Sequence, residues 1–291
     1  MKKNVRTSLP NQLTWINDVE VQQVLPTKYV RSVGPFILVD HISSWRQSQN
    51  KSAKDMLGKF PVPRRGAITL TYIIKGKIEH IDSKGNYASL ASGCMQWLNA
   101  GFGIVCDQAI KPEFKNGEAA ISIIRAWINL PSKQKSQPPA CLSFCNNEIP
   151  KVTLSKNAGW IRILCGNYGN VQAQLPSYSK QCLYHIHIAP AQTFSMMTGE
   201  DQEYAAFLPT NNAVINELPC QRGEFILFSS SGKIIEIESS GDLSTDIILF
   251  GGKALSEPLV HEDGFVMNSP HEITQAYNDY YDGKYGNIPP T

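Results

Sequence analysis

Residues 71–86 read TYIIKGKIEHIDSKGN, and the fold class follows from how that stretch is punctuated. Runs of Tyr, Ile and Thr are broken at Lys75-Gly76 and again at Lys84-Gly85-Asn86, where glycine accepts positive φ without a Cβ penalty and lets a strand turn back on itself. The spacing predicts strands over 67–74 and 77–82. The same rhythm of short β-branched and aromatic runs, bounded by Gly, Pro, Asn or Ser, recurs along the chain and predicts strands over 104–107, 121–129, 182–188, 225–229, 234–239 and 246–250. An all-β sandwich or barrel is implied. One helix is expected near the end: Ser269 as N-cap, Pro270 in the first turn, Glu272 at the third helical position and an apolar stripe of Ile273, Ala276, Tyr277 and Tyr280, with Gly283 ending it.

A chain of 291 residues suits two domains, each able to bury its own core. The polar, proline-rich stretch PSKQKSQPP at 131–139 is the expected linker, which gives an N-terminal domain over 1–130, a linker over 131–140 and a C-terminal domain over 141–291. Hydrophobic residues at 42% and charged residues at 18% belong to an ordinary folded protein rather than a disordered one. The seven cysteines are scattered without a CxxC pair, which reads as free thiols in a reducing compartment. No apolar run follows Met1-Lys2-Lys3, and the apolar stretches are too short to span a bilayer, so a cytoplasmic protein is expected. A net charge of +2 argues against direct nucleic-acid binding. Residues 1–80 carry +8 and the remainder −6, an asymmetry that solvated faces of opposite sign account for.

Six collinear segments together resemble the pirin family: VRSVGPFILVDHI (30–42), FPVPRRG (60–66), TYIIKGKIEHIDSKGN (71–86), MQWLNAGFGIV (95–105), WINLPSK (127–133) and EPLVHEDGFVMNSPHEITQAY (257–277). The resemblance implies two cupin (jelly-roll β-barrel) domains packed face to face, followed by the short C-terminal helix. It also implies one site for iron or another divalent transition metal in the first barrel and none in the second.

Pirins typically carry His-Pro-His-Arg-Gly where this chain has Val62-Pro63-Arg64-Arg65-Gly66, and Gly-Ile-Val-His-x-Glu where it has Gly103-Ile104-Val105-Cys106-Asp107-Gln108. The family's three His and one Glu thus fall on Val62, Arg64, Cys106 and Gln108. Residues two apart in a strand share a face, so 62 with 64 and 106 with 108 can converge inside a barrel, while Asp107 faces away. Val62 offers no lone pair and Gln108 only a neutral oxygen. Arg64 cannot lose its proton in a protein. At 4 Å and an effective dielectric of 20, one pair of like unit charges costs about 4 kcal/mol, and a divalent ion meets about twice that. No metal, and no other cofactor, is therefore expected.

His80 matches a histidine common in pirins and is a candidate to line the cavity, as is Arg65 beside Arg64. His185-Ile186-His187 places two imidazoles on one strand face, but no third ligand stands at a metal-site spacing, so hydrogen-bonding partners are expected instead. Cys106 beside Arg64 invites a nucleophile reading; without a general base nearby, a buried inert thiol is the default. Cys141 and Cys145 have no second pair to make a zinc site.

These features point to a non-catalytic, pirin-like protein that binds a protein partner or a small anionic ligand in its N-terminal barrel, with Arg64 supplying the charge. The alternatives are a metal-dependent dioxygenase of the quercetin 2,3-dioxygenase type, which the family resemblance suggests, and a transcriptional co-regulator acting through its surface.

Overall fold

The computed structural model describes residues 1–10, 12–16, 19–45, 61–115 and 118–288. Phe60, at the head of the second quoted segment, lies outside them. The described chain is built of antiparallel strands and one α-helix, Pro270–Tyr281. It divides into two compact units, one of residues 13–22, 38–146 and 256–291, hereafter the first barrel, and one of 1–12, 23–37 and 147–255, the second.

Each barrel sets a seven-stranded sheet against a four-stranded one. In the first, the large sheet runs Ala140–Cys145, Cys94–Asn99, Ala67–Lys75, Ser122–Asn129, Phe36–Trp45, Val19–Leu25 and Gln12–Ile16, and the small sheet runs Val62–Arg64, Ile104–Lys111, Lys77–Asp82 and Tyr87–Ala91. In the second, Val5–Pro10, Glu224–Phe228, Glu203–Phe207, Thr245–Gly252, Gln181–Ile188, Gly159–Cys165 and Lys151–Thr153 form the large sheet. Thr193–Met197, Ile234–Ser239, Ala213–Ile215 and Leu218–Cys220 form the small one. The expected strands are all present, longer or shifted by a residue or more in most cases.

The units are not the two halves of the sequence. Val5–Pro10 pairs with Glu224–Phe228, covering an edge of the second barrel's large sheet. Residues 256–291 return to the first barrel. The stretch 131–140 is not a free linker either: Ala140–Cys145 is an edge strand paired with Cys94–Asn99, and Lys135 is 4% exposed. Its Nζ donates to the carbonyls of Gly66 and Val266 and to Asn129 Oδ1, at 2.9, 2.9 and 2.6 Å. A polar composition mimics a linker, but here the polar head satisfies backbone carbonyls that packing has buried.

That edge pairing also corrects the reading of the cysteines. Cys94 stands directly opposite Cys145 in the register, their Cα atoms 4.0 Å apart, and the two are joined in a disulfide. Cys106, Cys141, Cys165, Cys182 and Cys220 are free.

The C-terminal helix forms as its sequence dictates. Ser269 Oγ accepts from the Glu272 amide while the Glu272 carboxylate accepts from the Ser269 amide, a reciprocal capping box. Gly283 follows in the left-handed conformation at φ 74°. The helix is anchored by Arg65, whose Nη1 donates to Asp279 Oδ2 at 2.7 Å and to Tyr285 Oη at 3.1 Å. Tyr285 in turn packs where Gly103 leaves room: at φ 150°, a Cβ there would stand 2.1 Å from the Tyr285 ring. No described helix is long and apolar enough to cross a membrane.

Candidate functional site

The inner face of the first barrel is identified by its apolar part. Ile42, Ile73, Ile78, Leu90, Cys94 and Ile123, drawn from both sheets, form one buried cluster with Ile110 packed on it. Strand alternation then assigns the remaining inward positions. From Ile78 they are His80 and Asp82. From Ile110 they are Gln108 and Cys106, which stand opposite His80 and Asp82 in the register. Cys106 also stands opposite Val62, and Ile104 opposite Arg64. Val62, Arg64, Cys106 and Gln108 therefore belong to one face of adjoining strands. Val62 lies at the rim, 41% exposed, and Cys106 is 2% exposed.

These side chains make contacts of their own. Arg64 Nε donates to Cys106 Sγ at 3.3 Å, and its guanidinium lies over the Trp127 ring, 4.6 Å from the centroid. Its Nη1 is buried and meets no acceptor among the described residues. Gln108 does not reach Arg64; its amide nitrogen donates to Gln96 Oε1 at 2.7 Å. On a third inward position, Arg125 Nη2 donates to Asp40 Oδ2 at 2.7 Å.

His80 is fully buried, with Nε2 3.2 Å from Asp82 Oδ2. Asp82 closes the Lys84-Gly85-Asn86 turn, its Oδ1 accepting from the amides of Lys84 and Asn86. Burial opposes the charge of Asp82, yet the hydrogen bonds from His80 and Asn86 hold its carboxyl below the usual range. Cys141 Sγ lies 3.9 Å from His80 Nε2. Burial, with Asp82 and Cys106 close by, pushes the Cys141 thiol up to about 12.

Arg65 is a correction to the sequence reading. The residue next to an inward Arg64 must face outward, and Arg65 holds the C-terminal helix instead of lining the cavity. His185 and His187 alternate with Tyr184, Ile186 and Ile188 of the second barrel's core, so they occupy the opposite sheet face. Both hydrogen-bond Asp246 Oδ1, at 3.1 and 2.9 Å, and His187 stacks on Trp160. Asp82, Gln96 and Trp127 were not singled out from sequence, and Cys141 was weighed only with Cys145 and set aside as a zinc ligand. Asp82 shares a strand face with His80 and was legible by spacing; Cys141 is brought in by a strand pairing that no local pattern announces.

Two jelly-roll barrels in one chain define the class as a bicupin. The family models agree: residues 18–128 match Pirin and residues 183–286 match the Pirin C-terminal cupin domain. The chain belongs to the pirin family. A Pseudomonas aeruginosa protein, provisionally named a quercetin 2,3-dioxygenase, is 25% identical over 253 residues, 87% of each chain. A crystal structure of quercetin 2,3-dioxygenase from Acinetobacter baumannii superposes with a TM-score of 0.88 at 23% identity, covering 99% of this chain and 100% of that one. A bacterial pirin of Escherichia coli in complex with nickel(II) superposes with a TM-score of 0.62 at 15% identity, covering 84% of this chain and 96% of that one.

The resemblance places the family's three imidazoles and one carboxylate at residues 62, 64, 106 and 108. Such a donor set would suit a divalent iron, manganese, nickel or copper ion. Val62, Arg64, Cys106 and Gln108 supply no imidazole and no carboxylate, and they include a permanent cation. The residues present do not fit that ion.

Proposed function

We propose that this pirin-family protein works by binding a small carboxylate in its first barrel, without the family's metal ion and without the oxygenase chemistry that ion supports. The observation that carries the reading is Arg64. By the resemblance it is the side chain at a position the family gives to a cation ligand, it is held between Cys106 and Trp127, and its buried Nη1 lacks an acceptor among the described residues. A buried guanidinium nitrogen with no partner is costly, and a planar carboxylate is the counter-group that its geometry matches.

Thermal-shift and calorimetric titration with a panel of mono- and dicarboxylates tests this. The wild type is expected to be stabilised by at least one of them, and Arg64→Ala to lose that response. Equal responses in the two proteins would count against the reading. The dioxygenase alternative, suggested by the names of the relatives, is separated by assaying quercetin turnover alongside elemental analysis. Turnover lost in Cys106→Ala and Gln108→Ala, together with one transition metal per chain, would replace the binding reading. A protein partner for the surface remains the third expectation; it predicts neither response.

A further inference from the structure

We propose that the first barrel has a second, different cation site, formed by His80, Asp82 and Cys141 and suited to a thiophilic divalent ion of the zinc class. None of the three occupies a position that holds the family's ion. The candidate donors are His80 Nε2, a carboxylate oxygen of Asp82 and Cys141 Sγ, all within 4.8 Å of one another. This inference goes beyond the carboxylate reading and does not depend on it.

The separations suit a shared ion. With metal distances of about 2.0–2.1 Å for nitrogen and oxygen and about 2.3 Å for sulfur, tetrahedral angles place N and O ligands about 3.3 Å apart and N and S ligands about 3.6 Å apart. The structure has 3.2 Å from His80 Nε2 to Asp82 Oδ2 and 3.9 Å from His80 Nε2 to Cys141 Sγ. The charges also suit it, because one carboxylate and one thiolate balance a divalent ion. Asp82 is already held by Lys84, Asn86 and the backbone of its turn, the kind of support that fixes a ligating carboxylate. His80 is fully buried and its Nδ1 meets no partner among the described residues. An ion at Nε2 would take the place of the proton that Nε2 shares with Asp82 Oδ2, 3.2 Å away, and leave the ring proton on Nδ1. A hydrogen bond between His80 and Asp82 accounts for two of the three groups, but not for a half-buried thiol beside both. Three protein ligands leave a fourth position to water or to an incoming anion.

Cobalt(II) is the probe, added to the full chain under reducing conditions mild enough to keep Cys94–Cys145 closed. The expected result is one cobalt per chain, with tetrahedral d–d absorption and a thiolate-to-cobalt charge-transfer band that zinc displaces. Cys141→Ser should abolish the charge-transfer band, His80→Gln should weaken binding by about 100-fold or more, and Cys106→Ser should leave both intact. Circular dichroism and thermal melting identify any variant that fails to fold, and His80→Gln then stands in for Cys141→Ser. No charge-transfer band in the wild type, or a band that survives Cys141→Ser, overturns the site. A band lost in Cys106→Ser but kept in Cys141→Ser would also overturn it, and would return a metal to the family's position, contradicting the carboxylate reading instead.

Discussion

The two barrels share an architecture and differ in what they enclose. The second packs its sheets around an apolar core, with Ile161, Ile186, Ile247 and Leu249 from the large sheet meeting Phe194, Ile215, Ile235 and Ile237 from the small one. The first has apolar residues over part of its interior. The rest is an assembly of polar side chains: Arg64 on Cys106, Gln108 on Gln96, His80 on Asp82 and Arg125 on Asp40. Nothing in the fold requires this, as the second barrel demonstrates. Buried polar groups cost stability unless each is paired, and here Arg64 Nη1, Gln96 Nε2 and His80 Nδ1 are not paired among the described residues. An interior kept polar against that cost is where a ligand is to be sought.

Three substitutions bear on the contrast, beginning with the largest effect. In the second barrel, Phe228→Ala leaves a void among residues that have no polar role, and should cost about 4 kcal/mol in denaturant unfolding. A loss below about 1 kcal/mol would mean that its core is less tightly filled than the burial of Phe228 at 4% exposure suggests.

At the outer side of the first barrel, Arg65→Met should cost about 2 kcal/mol, because it removes one of the two cations paired with the buried Asp279 carboxylate and leaves only Lys284. This effect carries a pH signature. Lys284 holds the Asp279 carboxyl below its ordinary value of 3.8, burial opposes that, and Arg65 adds to it. A carboxyl lowered on folding contributes stability that is complete above about pH 4 and fades as the pH falls through its lowered value. Acid titration of the wild type should show that loss, and Arg65→Met a smaller one. Identical acid profiles would show that Arg65 acts through packing alone.

The smallest effect has the opposite sign. Arg64→Leu removes a buried nitrogen that has no acceptor among the described residues, so the unliganded protein should gain about 1 kcal/mol, read as a higher urea midpoint. The same change in a residue that held the barrel together would lower it.

Much of the frame was legible from short-range chemistry. Lys75-Gly76 and Lys84-Gly85-Asn86 turn because glycine permits it. Ser269-Pro270 and Glu272 start a helix because they satisfy its free amides. The period-two rule placed Val62, Arg64, Cys106 and Gln108 on one face, and the strand register agrees. The same rule, applied to Arg64, would have turned Arg65 away from the cavity; charge similarity obscured it.

By itself the sequence determined the β class and the family, since each rests on residue type and local spacing. The tertiary structure alone decided that Val5–Pro10 belongs to the second barrel, that Cys94 meets Cys145, that Lys135 is buried and that Cys141 stands beside His80 and Asp82. Each of these joins positions far apart along the chain. Strand pairing is settled by which edges and faces remain to be covered once the whole chain has packed, and no local pattern carries that information.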